Sequence, residues 1–398
     1  MLSGQGRAAL LLIAVISVNA SYTVLIPFVP SLEERVGAGP LVIALMFALF
    51  AATKALFQPV GGWWVDRWRP NAVACVSLLL AAVGILITAF ASDSVTLLVG
   101  RSVWGVGEGL VSPALYAGMS ALCKVYGIST SRMMGNFGSA AIAGFLLGPL
   151  IAGVATPLGL ESLFLIGAVV TGATAFGLLR AIPPSTVETV SESSASPGPT
   201  GKRFWLWVLM LGALDMFTSI IYSALEPVLP LYLSGEHDSS ARGVISIVFA
   251  VGLATSGLSM FVLGRYAEQV RLTTMIRVGL GLLAVGLAGT AISAGVVAVA
   301  SWFVVFMVGY AALFLSARRG VVELKSAAGK AFGVFGLISD VGSVVGPIVG
   351  VVLYELTGRL SFVLLGAVSG LLLAVLVFVV VPQRDDWREH ERSPVPTV

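Results

Sequence analysis

Gly144-Phe-Leu-Leu-Gly148-Pro149-Leu-Ile-Ala-Gly153 and Gly342-Ser-Val-Val-Gly346-Pro347-Ile-Val-Gly350 are two versions of one device, set 198 residues apart. Glycines four apart share one face of a helix, where the missing side chains let a neighbouring helix approach closely. The proline beside the second glycine leaves a backbone carbonyl unpaired and favours a bend. A bent, small-residue helix in an apolar run suits a moving or leak-sealing contact between two bundles inside lipid. Two further pairs repeat at nearly the same interval. Pro27 and Pro30 match Pro227 and Pro230, an offset of 200, and Gly62 to Asp66 matches Gly264 to Glu268, an offset of 202. The repetition predicts two six-helix bundles related by an axis along the membrane normal, with a central cavity between them.

Composition points the same way. Of the 398 residues 57% are hydrophobic and 11% charged, against about 45–50% and about 25% in ordinary soluble domains. That excludes a cytosolic enzyme, a nucleic-acid binder and a disordered scaffold. The formal charge of +3 is too small to draw nucleic acid. Two distant cysteines, Cys75 and Cys123, argue against a disulfide framework or a four-ligand zinc site. His237 and His390 fall in polar stretches, so no histidine relay or metal cluster is expected within the spans. No cofactor is expected.

A membrane-spanning helix needs about 20 mostly apolar residues. Twelve such runs are expected, over 8–29, 40–62, 72–91, 95–120, 131–155, 161–182, 204–231, 243–264, 273–293, 295–317, 327–354 and 360–382. The ninth and tenth are the hardest to separate, because Ser293, Ala294 and Gly295 between them carry no charge, which leaves an eleven-span count as the alternative. Continuous rather than alternating apolarity excludes a β-barrel. The first run lacks a small-residue cleavage site and is expected to be a retained helix rather than a signal peptide.

A polar stretch divides the chain into a bundle over 1–182, a cytoplasmic linker over 183–203, a second bundle over 204–383 and a cytoplasmic tail over 384–398. With the N-terminus inside, all but five of the 23 Lys and Arg fall on the cytoplasmic side. The exceptions are Arg35, Arg242 and Arg359 outside, and Lys54 and Arg101 within spans. Short cytoplasmic loops hold such an excess, so both termini are expected in the cytoplasm.

Three stretches resemble signatures of the major facilitator superfamily. Gly62-Trp-Trp-Val-Asp66-Arg67-Trp68-Arg69 is similar to its Gly-x-x-x-Asp-Arg loop between helices 2 and 3, although Arg69 stands where a Gly is usual and Pro70-Asn71 replaces a basic pair. Arg101 with Gly105 and Gly107 resembles its intramembrane Arg motif, with Trp104 where Gln is common. Gly144 to Gly153 is similar to the Gly-x-x-x-Gly-Pro-x-x-Gly-Gly signature of the twelve-span drug:proton antiporter branch, with Ala152 in place of a Gly. The resemblance covers essentially the whole chain. It implies an all-α integral membrane protein, a transporter rather than an enzyme, working by alternating access in a bacterial inner membrane.

A charge within a span is costly, so each is a functional candidate. There are six: Lys54, Arg101, Glu108, Asp215, Glu226 and Asp340. Asp215 and Asp340 lie about 16 to 20 Å along their helices, near mid-membrane. They are candidate proton carriers, or else carboxylates paired to Lys54 or Arg101 or hydrogen-bonded to hold two helices. Glu108, two turns from Arg101, joins them, and the resemblance assigns Arg101 to proton-linked coupling. The candidate cavity residues are Lys54, Tyr22, Phe217, Tyr222, Glu226, Trp302, Tyr310 and Phe335, although Glu226 also suits the outer interface. The candidate gating residues are Gly62, Asp66, Arg67, Gly144, Gly148, Pro149, Gly346 and Pro347. Asp66 is read as a latch that meets basic residues or a helix N-terminus of the neighbouring bundle, or as a solvated loop charge.

The expected function is proton-coupled export of small amphipathic or drug-like molecules by a monomer whose partners are substrate, protons and lipid. The alternatives are a symporter or uniporter for a sugar, amino acid or other metabolite, and a non-transporting receptor. An intramembrane enzyme would need a convergent nucleophile and base, which the spans do not offer. No phosphate-binding Gly-x-x-x-x-Gly-Lys-Ser/Thr loop occurs, so an ion gradient is the expected energy source.

Overall fold

The computed structural model describes residues 3–37, 39–128, 130–183, 202–236, 241–266, 269–323 and 328–375. The central part of the expected linker, Glu268 of the second loop signature, both histidines and the expected C-terminal tail lie outside the described residues. The described chain is helical. The N-terminal helices are α1 (Gly4–Thr23), α2 (Val29–Val36), α3 (Pro40–Arg67), α4 (Pro70–Ala89), α5 (Ser94–Tyr126), α6 (Thr130–Val154) and α7 (Gly159–Ala181). The C-terminal helices are α8 (Lys202–Glu236), α9 (Ala241–Tyr266), α10 (Leu272–Ile292), α11 (Val296–Glu323), α12 (Ala328–Thr357) and α13 (Leu360–Val375).

Ten helices are long and apolar enough to cross a membrane among the described residues, against the twelve expected. Of the two expected runs not among the ten, α5 has the length, but its glycines, serines, Arg101 and Glu108 dilute its apolarity. α13 contributes a shorter apolar stretch, Leu360–Leu372. The break that carries no charge is present: α10 ends at Ile292, and Gly295 turns the chain at a φ of 87° that favours glycine. Pro40 and Pro70 begin α3 and α4, where a missing N–H costs no helical hydrogen bond. Asp93 caps α5 by accepting from the Thr96 amide at 2.9 Å and hydroxyl at 2.6 Å. Those bonds hold its carboxyl below the usual carboxylate range.

The glycine faces lie elsewhere than expected. A Cβ added at Gly144 would meet the Ile16 carbonyl oxygen at 2.6 Å, and one at Gly148 the Ala20 carbonyl oxygen at 2.7 Å. Both contacts are with α1. A Cβ at Gly346 would meet the Ile220 carbonyl oxygen at 2.5 Å, and Gly342 meets Met216 in the same way on α8. The Gly144–Gly148 and Gly342–Gly346 faces therefore seat α6 on α1 and α12 on α8, whereas Gly153 meets Ser246 of α9 across the boundary between the N-terminal and C-terminal helices. That boundary is formed by α3 against α12 and by α6 against α9.

The apolar core is not uniform along the helices. One continuous buried cluster joins Leu25, Ile26, Val29 and Leu32 to Ile221, Val228, Leu229 and Phe249, so the two sets of helices share a core at the end carrying Pro27 and Pro227. At the opposite end the clusters part. Leu11, Val65, Leu115 and Leu178 belong to a cluster of N-terminal helices, while Phe204, Val208, Val321 and Phe335 belong to one of C-terminal helices.

Candidate functional site

Between the two sets of helices lies a cavity of about 410 Å³. Its N-terminal wall includes Asn19 and Tyr22 from α1, Phe50 and Lys54 from α3, Glu108 from α5 and Phe145 from α6. Its C-terminal wall includes Ser219, Tyr222, Ser223 and Glu226 from α8, Met260 from α9, Tyr310 and Phe314 from α11, and Asp340 from α12. Tyr22 packs on Phe50 with centroids 5.0 Å apart, and Tyr222 stacks on Tyr310 at 4.7 Å. The cavity thus has an aromatic plate on each wall, with three carboxyl groups and one ammonium among its lining residues.

Four of the six intramembrane ionisable groups line this cavity, and two do not. Lys54 Nζ lies 3.1 Å from Glu108 Oε2, while Trp104 Nε1 donates to Glu108 Oε1 at 3.0 Å. Trp104, one turn before Glu108, therefore fixes the carboxylate that pairs with Lys54. Arg101 is fully buried behind that wall. Its guanidinium stands 4.3 Å from the Phe50 ring centroid and 4.6 Å from that of Trp104, and its Nε donates weakly to the Met46 carbonyl at 3.4 Å. Among the described residues, neither terminal nitrogen of Arg101 has a hydrogen-bond acceptor.

Glu226 does not reach an outer interface. It is buried, lines the cavity, and accepts a hydrogen bond from Tyr22 Oη at 2.7 Å across the boundary between the helix sets. Asp340 also faces the cavity, and among the described residues neither acid has a cation at ion-pair distance. Asp215 takes the helix-holding arrangement, with Arg318 rather than Lys54 or Arg101 as its cation. Arg318 Nη1 donates to its Oδ1 at 2.8 Å and Ser339 Oγ to its Oδ2 at 2.6 Å, and Asp215 is absent from the cavity lining. Arg318, expected at the cytoplasmic surface, lies within α11 and turns inward with its guanidinium 3.3 Å from the Phe314 ring centroid.

Three expected cavity aromatics also lie elsewhere. Trp302 packs over Gly289 of α10, Phe335 is buried with Phe204 and Val208, and Phe217 packs against the main apolar cluster. Each sits on a cavity-bordering helix but on another face. Reasoning from the sequence missed Asn19, Phe50, Phe145, Ser219 and Phe314. The repeat interval held one signal for them, since Asn19 and Ser219 are 200 apart and both line the cavity. Asp66 is exposed at the end of α3 and pairs with nothing among the described residues, while Arg67 lies over the exposed Trp63 ring at 4.1 Å. A Cβ at Gly62 would meet nothing within 4 Å.

The sequence profile of the Major Facilitator Superfamily matches residues 11–323. The Quinolone resistance protein NorA of Staphylococcus aureus (strain MSSA476) is 24% identical over 256 residues, which cover 63% of this chain and 64% of that protein. Multidrug resistance protein 1 of Bacillus subtilis (strain 168) is 24% identical over 172 residues, 43% of this chain and 42% of that protein. The matched stretches span less than two thirds of either relative. Among solved structures, the nucleoside transporter NupG superposes with a TM-score of 0.76 at 10% identity, covering 94% of this chain and 98% of that one. A bacterial homolog of the human lysosomal transporter Spinster, in an inward-facing and unoccupied conformation, gives 0.73 at 13% identity, covering 95% of each chain. At such identities the likeness carries the fold alone.

Proposed function

The chain belongs to the Major Facilitator Superfamily, and from that premise we propose that it exports small amphipathic, drug-like molecules in exchange for protons. It is an integral multi-pass membrane protein, and transporters of this family carry small-molecule substrates. The observation that carries the finer reading is the cavity: aromatic plates on both walls, with Glu226 and Asp340 facing it and, among the described residues, no cation at ion-pair distance from either. Its volume of about 410 Å³ falls within the range of pockets that take drug-sized ligands, about 300–1,000 Å³. An aromatic wall with carboxylates suits an amphipathic cation. Relatives named for multidrug and quinolone resistance support the same reading.

In this reading the protein has twelve spans in two six-helix bundles with pseudo-two-fold symmetry, joined by the linker, with both termini in the cytoplasm of a bacterial cell. The shared core at the Pro27 and Pro227 end and the parted clusters at the other end suit an inward-facing state. Rocking of the bundles then exposes Glu226 and Asp340 to each side in turn. Each acid exchanges a proton with the side it faces and releases it when substrate takes its place. Asp215, held by Arg318 and Ser339, joins α8 to α11 and α12 instead of carrying the proton.

The test is purified protein in proteoliposomes with an imposed pH gradient and a fluorescent amphipathic cation. Dye movement opposite to the proton gradient, with matching proton counterflow, is the expected result. Movement of dye and protons in the same direction would make the protein a symporter and overturn the exporter reading.

A further inference from the structure

Of the ionisable groups lining the cavity, one is a cation, and its position is unusual. Lys54 sits on α3 with its side chain about a third accessible, while its partner Glu108 is almost wholly buried. Glu108 is held from behind by Trp104 and cannot follow the lysine outward. A lysine ammonium carries three donors, and among the described residues Glu108 takes the single hydrogen bond that Lys54 makes. The remaining donors belong to a group on the cavity wall. The opposite wall presents the reverse charge: Glu226 on α8 uses one oxygen for Tyr22, and Asp340 on α12 has no hydrogen-bond donor among the described residues. The cavity's N-terminal wall thus carries the Lys54 ammonium paired with Glu108, and its C-terminal wall carries two carboxyl groups without a paired cation among the described residues, Glu226 on α8 and Asp340 on α12.

A purely cationic solute uses half of this arrangement and leaves an ammonium facing it. We propose that the site is built for amphipathic zwitterions, with Lys54 the specificity-determining residue that receives the solute's carboxylate while Glu226 and Asp340 receive its amine. The aromatic body between the two charges lies against Tyr22 and Phe50 on one side and Tyr222 and Tyr310 on the other. Glu108 has a supporting part: by holding one donor of Lys54 it keeps the ammonium on the wall and prevents it from crossing to Glu226. The inference deepens the exporter reading above and rests on it.

Two dyes of one scaffold test it: a xanthene dye with a free benzoate, zwitterionic at neutral pH, and its methyl ester, a monocation. Dissociation constants for both are measured by fluorescence polarisation on the wild-type protein, on Lys54→Gln, on Lys54→Arg, and on the double variant Lys54→Gln with Glu108→Gln. The double variant leaves no orphaned charge, so it keeps the test alive if Lys54→Gln alone fails to fold. In the wild type the zwitterion binds at least as tightly as the ester. In both variants lacking Lys54 the ratio of the two constants moves at least tenfold against the zwitterion, and Lys54→Arg restores it. If the double variant leaves the ratio unchanged, or the wild type rejects the zwitterion while binding the ester, the zwitterion proposal falls and the exporter reading stands. If the wild type binds neither dye, both fall.

Discussion

Tyr22 Oη donates to Glu226 Oε2 at 2.7 Å, tying α1 to α8 across 204 residues of sequence. The bond lies beside the part of the core that the two sets of helices share, since Tyr22 packs against that cluster and Leu225 and Val228 belong to it. It therefore joins a cavity acid to the closed end of the molecule. A typical intramolecular hydrogen bond is worth about 0.5–1.5 kcal/mol, enough to shift a two-state equilibrium about two- to tenfold.

The first prediction concerns that bond. Tyr22→Phe keeps the ring on Phe50 and removes the hydroxyl, so the closed end should open more often. Spin labels at Ser31 and Leu231, on α2 and α8, should show a longer, broader distance distribution than in the wild type. An unchanged distribution would mean that apolar packing alone holds that end shut.

The second prediction separates glycines that seat helices from one that does not. Gly346→Val pushes a branched side chain onto the α8 backbone, where even a Cβ would lie 2.5 Å from the Ile220 carbonyl oxygen. Overpacking of this kind costs about 1–3 kcal/mol, and the melting temperature should fall. Gly62→Ala meets open space and should melt like the wild type. Equal losses for the two variants would contradict the described packing of α12 on α8.

The helices and the cavity were legible in the sequence to different degrees. Apolar runs and their proline and glycine punctuation marked where most of the helices lie, because lipid forces the backbone to satisfy itself within each segment, although α1 ends at Thr23, α2 was not expected, and α3, α5 and α11 run past their expected ends. Which face of a helix meets the cavity was not legible for Trp302, Phe217 or Phe335, because an apolar ring is equally at home against lipid, a neighbouring helix or a substrate. The partner of Asp215 was hidden for another reason. Arg318 stands beside Arg319 near the end of its helix, where charge counting assigns a surface loop, and nothing in the spacing reveals that its side chain turns inward.

The third prediction concerns sidedness and uses positions on described loops. In a background with Cys75 and Cys123 replaced by serine, a cysteine at Gly39 should react with a membrane-impermeant reagent from outside intact cells, and one at Arg69 should react only after lysis. The Lys and Arg bias underlies the expectation. Labelling of both from outside would overturn the assigned orientation.

The fourth prediction concerns Asp66. The carboxylate is exposed and unpaired among the described residues at the end where the buried clusters part. A latch that engages when that end closes would look like this while it is open. Asp66→Asn should therefore leave dye binding measurable and reduce transport at least several-fold, both read on the same purified protein. Unchanged transport would make Asp66 a solvated loop charge.

The last prediction assigns the coupling acid by contrasting three carboxyl groups of different surroundings. Glu226→Gln and Asp340→Asn keep size and hydrogen-bonding capacity but cannot release a proton, so at least one should abolish accumulation driven by a pH gradient while melting close to the wild type. Asp215→Asn should act on stability first, because it leaves the Arg318 guanidinium facing a neutral amide. Breaking a buried pair costs about 3–5 kcal/mol, and since Arg318 is about a third accessible, a smaller loss of about 1–3 kcal/mol is expected here. Adding Arg318→Gln should recover part of it, as a double-mutant cycle would register. If Asp215→Asn melts normally and alone abolishes gradient-driven accumulation, the coupling proton resides on the Arg318-bound carboxyl and not in the cavity. If Glu226→Gln, Asp340→Asn and Asp215→Asn all accumulate dye with the wild-type pH dependence, none of these three acids carries the proton, and Glu108, released from Lys54 during the cycle, is the intramembrane carboxyl group that remains.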